Sequence, residues 1–166
     1  MSIIDQVFQA GVVGCGGAGF PTHVKLKGSF RHLILNGAEC EPLLRTDRYI
    51  MRNCADRVVA AADAVRQELG AQDCTIALKE HYTEEIASLE AAIAASGAQV
   101  GLHKMESFYP AGDEQVMVHE VTGQVVPPAG IPLDVGAVVS NVATMLAVRD
   151  AMDGVPLTQK YLTVTG

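Results

Sequence analysis

Apolar residues near the start of the chain recur at helical spacing, and three short apolar runs follow. The helical spacing covers residues 3–10 and stops at Gly11, a residue that commonly ends a helix. The runs "RHLILN" (31–36), "CTIALK" (74–79) and "AQVGLHKM" (98–105) have the length and composition typical of strands. The pattern therefore predicts one helix followed by three strands.

The segments between these strands are typical of helices. Apolar residues recur every three or four positions from Ile50 to Leu69, which predicts one long helix capped by Asp47 and stopped at Gly70. Residues 82–97 are rich in alanine, with acids in the first turn and glycine at the end. Because strands and helices alternate, the sequence predicts an α/β fold with a Rossmann-like parallel sheet covered by helices.

The last third of the chain is less regular. We expect a short helix at about 114–121 and, in "AVVSNVATMLAVRDAMDG" (137–154), a strand that turns into a helix. The tail "QKYLTVTG" (159–166) has strand character. We therefore expect a single domain over 1–158, and in 159–166 the first strand of a following β-rich domain that is otherwise missing.

Composition and charge exclude several classes of function. The 166 residues are 49% hydrophobic, enough for a core, yet no stretch approaches the ~20 apolar residues of a membrane span. The net charge is −7 without clustered basic residues, which argues against nucleic-acid binding. The four cysteines are far apart, so we expect no metal site. The first residues lack a basic leader, and we expect a cytoplasmic protein.

A glycine-rich loop is the first candidate for chemistry. "GVVGCGGAGFPTHVKL" (11–26) places four glycines within 14–19 and satisfies G-x-G-x-x-G. A dinucleotide-binding loop requires a strand before the glycines and a helix directly after them, whereas here a predicted helix precedes and Pro21 follows. Three interpretations stay open: an ordinary Rossmann loop, a tight turn without a ligand, or backbone that holds a flat or phosphorylated cofactor.

A second cluster follows the first predicted strand. In "LILNGAECEP" (33–42) the strand ends at Asn36, Gly37 provides a turn, and Glu39 and Glu41 come next. Taken alone, the two acids fit a solvated turn equally well. Because ligands of open α/β sheets bind at the carboxyl ends of strands, this cluster and the glycine loop together favour a cofactor site.

Four motifs in order carry a family resemblance: the glycine loop, "LILNGAECEP", "YPAGDEQ" (109–115) and "VVSNVATM" (138–145). They resemble the C-subunit family of the Rnf electron-transport complex. Its relatives include the proline-reductase-associated electron-transfer protein, the cobalamin reductase of propanediol-utilisation compartments and, more distantly, the NADH-oxidising flavoprotein subunit of complex I. The resemblance implies an FMN-dependent NADH:acceptor oxidoreductase module. Its electrons would pass to iron–sulfur clusters in domains or subunits outside this chain, and it would be at most peripheral to a membrane complex.

The resemblance also implies a set of site residues. Cofactor-binding roles fall on Gly14, Gly16, Gly17, Lys25, Asn36, Tyr109, Gly112, Asp113, Asn141 and Thr144, and NADH-binding roles on Phe20, Glu41 and Glu114. No catalytic side chain is expected, since hydride passes between the two cofactors, with Glu114 nearby. An asparagine amide suits the reduced flavin, and Asn141 at a helix start suits a phosphate. Plainer interpretations remain for three residues: Tyr109 as core packing, Lys25 as a surface charge and Thr144 as a mid-helix residue.

Three departures from the family pattern keep a second function open. Cys15 stands where members similar to complex I have arginine, Ala38 replaces an acid and Ser140 replaces an asparagine. These substitutions also fit a non-catalytic docking or scaffold domain that kept the fold and lost the cofactor. The electron acceptor stays open as well, with a corrinoid or proline reductase among the candidates.

Overall fold

The computed structural model describes residues 1–165, and its strands form one parallel sheet. The strands are β1 (His32–Asn36), β2 (Asp73–Lys79), β3 (Gly101–Met105) and β4 (Ala137–Asn141), in the spatial order β3-β2-β1-β4. In the register, Asn36 at the end of β1 lies opposite Asn141 of β4 and Ala77 of β2. The parallel α/β sheet predicted from the sequence is confirmed.

Helices connect and cover the strands. They are α1 (Ile3–Gln9), α2 (Thr22–Lys25), α3 (Thr46–Asn53), α4 (Ala55–Leu69), α5 (Thr83–Ser96), α6 (Glu114–Thr122) and α7 (Val142–Met152), with a 3₁₀ helix at Pro132–Val135. Gly70 and Gly97 end α4 and α5 in the left-handed conformation, as their positions in the sequence predict. Within residues 1–165, no helix combines the length and the apolar character needed to cross a bilayer.

The long helix predicted from Asp47 to Leu69 is instead two helices. Cys54 has φ −130° and ψ 24°, outside the helical region, and it separates α3 from α4. This bend lets both helices pack against α5 and α7. Asp47 is not the cap either: Arg45 occupies that position, and Asp47 lies in the first turn of α3.

Apolar side chains cover both faces of the sheet. Leu33 and Leu35 of β1 are fully buried in the larger cluster, together with residues of α1, α3, α4, α5 and α7. Ile34, between them, points to the opposite face and packs in a smaller cluster with Met117 and Val118 of α6. Burial on both faces explains why the strands read as continuous apolar runs.

The tail departs from its prediction. No strand is present in 159–165, and Gly166 lies outside the described residues. Two hydrogen bonds hold this part of the chain instead. Just before the tail, the Leu157 N–H donates to the Ala10 carbonyl at 2.8 Å, and within the tail the Thr163 hydroxyl accepts from the Arg45 N–H at 3.0 Å. The domain boundary at 158 stays a prediction.

Candidate functional site

A cavity of about 680 Å³, here called the crevice, opens where β1 and β4 end. Its walls are the glycine loop, the segment after β1, the first turns of α3 and α7, the start of α6 and the tail. Eleven of the thirteen residues predicted from the sequence line it: Gly14, Gly16, Gly17, Phe20, Lys25, Asn36, Glu41, Gly112, Glu114, Asn141 and Thr144. The fold therefore brings together motifs that are far apart in the chain.

The glycine loop presents backbone donors without partners. The Gly14 N–H donates to the Phe20 carbonyl at 2.8 Å, which closes the loop. Gly17 and Gly19 have φ of +127° and +64°, conformations that side chains rarely allow. Within the part of the chain that the structure describes, the N–H groups of Gly16, Gly17 and Ala18 form no hydrogen bond of normal geometry, and all three residues line the crevice. Such unpaired N–H groups beside a cavity are suited to hold an anion.

The elements around the loop exclude one interpretation of the glycine motif. A single bridge from Val13 to Pro21 and the four-residue helix α2 flank the glycines, instead of a strand before and a long helix after them. The loop is therefore not an ordinary Rossmann fingerprint. It is held against α7, because the Cys15 N–H donates to the Thr144 hydroxyl at 2.9 Å. Thr144, buried and in the first turn of α7, is thus more than a mid-helix residue.

Asn36 joins β1 to the loop before α6. Its amide nitrogen donates to the Gly112 carbonyl at 2.8 Å, and its amide oxygen accepts from the Ala38 N–H at 3.0 Å. A Cβ on Gly112 would lie 2.5 Å from the Ala38 oxygen and 2.8 Å from Cys40 Sγ, so only glycine fits this approach. One amide hydrogen of Asn36 remains for a ligand.

Asn141 joins three elements at the other side of the crevice. Its amide oxygen accepts from the Ala143 N–H at 2.9 Å and caps α7, as its position at a helix start predicts. Its amide nitrogen donates to Asp47 Oδ2 at 2.7 Å. The Asn141 side chain therefore links the end of β4 to the first turns of α3 and α7.

Two acids of the crevice, Glu39 and Asp47, are absent from the set of site residues that the family resemblance implies. Glu39 is buried; its Oε1 accepts from the Asp47 N–H at 3.0 Å, and its Oε2 has no partner among residues 1–165. Burial, helped by the nearby Glu39 carboxylate, raises the pKa of Asp47 to about 6, although the hydrogen bond from Asn141 opposes the shift. In the sequence, Asp47 is an acid near the start of a predicted helix. A role as helix cap explains such an acid as well as a role in a binding site does.

Of the predicted site residues near the start of α6, some line the crevice and others lie outside it. The Lys25 ammonium pairs with the Glu114 carboxylate at 2.7 Å, and both line the cavity. Asp113 instead caps α6, accepting from the N–H groups of Gln115 and Val116, and does not line the cavity. The Tyr109 side chain is 78% exposed and lies outside the lining, so it is not core packing.

The tail supplies lining residues that the motifs did not indicate. Gln159, Lys160, Tyr161, Leu162 and Thr163 all border the crevice. Their strand-like pattern predicts the start of another domain, and nothing in it signals a binding role. A smaller hollow of about 250 Å³ adjoins the crevice and is lined by Lys160, Leu157 and Cys15, among others.

Fold and site together define a class: a parallel α/β domain with a glycine-lined crevice at the carboxyl ends of its strands. A family model described as the Nuo51 FMN-binding domain matches residues 7–150. The chain belongs to this FMN-binding domain family, and the resemblance found in the sequence is confirmed.

Several known proteins are similar over nearly the whole chain. The cobalamin reductase PduS of Citrobacter freundii is 42% identical over 99% of this chain and 36% of its own length. The C subunit of the proton-translocating ferredoxin:NAD(+) oxidoreductase complex of Clostridium ljungdahlii is 38% identical, again over 99% and 36%. Both relatives are oxidoreductases by name, and the second belongs to a multi-subunit complex. The chain thus spans about a third of the length of these relatives.

A solved structure supports the fold. An NAD⁺-reducing [NiFe]-hydrogenase in the H₂-reduced state has a TM-score of 0.79 and 28% identity, over 91% of this chain and 30% of that chain. The FMN-binding family and the α/β fold expected from the sequence are both confirmed.

Proposed function

We propose that this chain is the flavin module of an NADH-oxidising electron-transfer protein. FMN would occupy the crevice, and NADH would dock against it. Electrons would leave toward iron–sulfur groups in the rest of the protein or in partner subunits. The observation that carries the proposal is the set of unpaired N–H groups of residues 16–18 beside a cavity of about 680 Å³. This volume lies within the roughly 300–1,000 Å³ typical of cofactor sites.

The glycine positions support a close fit to a bound cofactor. A Cβ on Gly16 would lie 3.5 Å from Asn141 Cβ, and one on Gly14 would lie 3.5 Å from the Phe20 nitrogen. Side chains at these positions would take up space at the crevice wall. Gly17 could not carry a side chain without strain, because its φ is +127°. Bare backbone at this wall suits a planar ring that must approach it closely.

FMN, when bound, supplies the hydride-accepting ring. The residues of this chain bind and orient, and no side chain has to transfer a proton. The N–H groups of residues 16–18 would donate to oxygens of the cofactor. Asn36 keeps its free amide hydrogen directed by its bonds to Ala38 and Gly112. Asn141 and Thr144 hold the first turn of α7 against the loop.

The lining residues near α2 and α6 support the proposed docking of NADH on that side of the crevice. Phe20 is half-exposed at the crevice and offers an aromatic face for a nucleotide base or nicotinamide. Glu41 accepts from ribose hydroxyls, and the Lys25–Glu114 pair borders the docking surface. Tyr109 and Asp113 stay predicted at its rim, outside the crevice lining.

Titration with FMN tests the proposal directly. We expect the protein to quench flavin fluorescence on binding and Gly16→Val to abolish that quenching, because the branched side chain takes up space at the wall of the crevice. Gly101→Val is the matched control: an added Cβ there meets only ordinary contacts at 3.8 Å on strand β3, and valine is a good strand former. FMN affinity in Gly101→Val should equal that of the wild type.

Two results would count against the flavin module. Unchanged FMN affinity in Gly16→Val would show that the ring does not lie against the loop. A folded wild-type protein that binds neither FMN nor NADH in calorimetry, yet binds a partner protein, would favour a function as a docking or scaffold domain.

A further inference from the structure

The crevice is strongly acidic, and its cations are few. Its lining includes five carboxylates (Glu39, Glu41, Asp47, Glu114 and Asp150) and two ammonium groups, Lys25 and Lys160. Glu114 pairs with Lys25 at 2.7 Å, and Asp150 pairs with Arg57. Lys160 has no ion-pair partner among residues 1–165. An anionic ligand in this crevice therefore meets one uncommitted cation in the described part of the chain.

The backbone on both sides of Lys160 is anchored. Before it, the Leu157 N–H donates to the Ala10 carbonyl at 2.8 Å. After it, the Thr163 hydroxyl bonds the Arg45 N–H and the Thr46 hydroxyl, each at 3.0 Å. The tail thus passes from the end of α1 to the start of α3 along the crevice, which keeps Lys160 at its wall.

Lys160 lies at the glycine-loop end of the crevice. Lys160, Gly14 and Cys15 line both the crevice and the adjoining hollow, whereas Lys25 and Glu114 line only the crevice. Burial raises the pKa of the Cys15 thiol, and the positive charge of Lys160 is close enough to oppose part of that shift. The Cys15 N–H bonds Thr144 in the first turn of α7, so this end also contains a helix N-terminus.

We propose that Lys160 is the cation that holds the phosphate group of bound FMN, at the end of the crevice where Cys15 meets the first turn of α7. The inference rests on the proposed function. A phosphate monoester carries close to two negative charges near neutral pH and requires charged donors, and lysine is a common phosphate-binding residue. The alternative source of phosphate, the dinucleotide, is expected toward Phe20 and Glu114, which do not line the hollow beside Lys160.

Comparison of FMN with riboflavin isolates the phosphate. Lys160→Gln should weaken FMN binding about tenfold, the size expected for one charge-assisted hydrogen bond, and leave riboflavin binding unchanged. Lys160→Arg keeps the charge and should retain most of the FMN affinity. Lys27→Gln is the matched control, since Lys27 is exposed, lies outside the crevice and makes no ion pair within 1–165. The difference between Lys160→Gln and wild type should shrink as ionic strength rises.

Each other outcome overturns the assignment in its own way. Equal loss of FMN and riboflavin affinity in Lys160→Gln means that position 160 acts on the shape of the crevice. Unchanged FMN affinity with weakened NADH binding places the lysine on the dinucleotide phosphates. If substitution of Lys160 changes neither FMN nor riboflavin binding, only the assignment of Lys160 is wrong. If the wild-type protein binds neither FMN nor riboflavin, both this assignment and the proposed function are wrong.

Discussion

Burial makes ionisation of the Asp47 carboxylate unfavourable. It lies at the wall of the crevice beside buried Glu39, with the Asn141 amide as its hydrogen-bond donor. Its pKa rises to about 6 in the folded protein, from 3.8 as the ordinary value. The folded state therefore binds more protons than the unfolded state between these two values, and stability falls as pH increases through that window.

Asp47→Asn should remove this pH dependence. Asparagine can still accept from Asn141 but carries no charge, so the variant gains stability relative to wild type from about pH 4 to pH 6 and the gain is constant above about pH 7. Its size is at most about 3 kcal/mol, from 1.36 kcal/mol per pKa unit. Urea unfolding across this pH range measures it. Asp56→Asn is the control, at the same position of the first turn in α4 but exposed; a pH-independent difference for both variants would refute the argument.

Some residues of the site could be predicted from sequence, and others could not. Glycines in a tight loop and a polar residue at a strand end are local signals, which is why the sequence already indicates Gly16 and Asn36, two residues that line the crevice. Asp47 lines the crevice only because α3 packs near the end of β4, whose Asn141 lies 94 positions away. Tyr109 was expected beside the flavin, yet its position depends on how the irregular chain before α6 folds, and no local pattern encodes that.

At the scale of elements, one hydrogen bond couples the glycine loop to α7. Thr144 is buried, and its hydroxyl accepts from the Cys15 N–H at 2.9 Å. Thr144→Val keeps the shape and leaves that N–H without its partner, at a cost of about 1–3 kcal/mol. We expect lower stability in urea and faster hydrogen exchange at the Cys15 amide.

The matched control for this coupling is Thr83→Val. Thr83 is exposed at the start of α5, and its hydroxyl forms no hydrogen bond within residues 1–165. It should leave both stability and Cys15 exchange within error of wild type. Slow exchange at Cys15 in Thr144→Val would mean that other contacts hold the loop.

The elements themselves were largely predictable, because apolar periodicity follows burial. The four strands and the helices α5, α6 and α7 lie close to their predicted ranges. The break at Cys54 was not predictable, since the apolar spacing continues through it. The bend results from packing two short helices against α5 and α7, which is a tertiary effect on an otherwise helical pattern.

At the scale of the whole molecule, the sheet separates two apolar layers, and the crevice lies at its end. The larger layer holds α7, which borders the glycine loop, and the smaller layer holds α6, which follows Gly112. Because Asn36 and Asn141 are neighbours across β1 and β4, the crevice joins walls supported by both layers. Its shape therefore depends on the complete fold, and the tail adds a further wall made mostly of exposed residues.

Removal of the tail after Thr158 tests the predicted domain boundary. Residues 159–162 are exposed, Tyr161 lies 5.7 Å from Tyr49 between ring centroids, and Thr163 forms two hydrogen bonds. An aromatic pair contributes about 0.5–1.5 kcal/mol and an exposed hydrogen bond less, so the shortened chain should lose about 1 kcal/mol and unfold in one cooperative transition. Its FMN affinity should fall at least as far as in Lys160→Gln, because it also lacks that lysine. Urea unfolding and flavin titration measure the two effects separately. A loss of several kcal/mol would make the tail part of the domain core and move the boundary beyond 158.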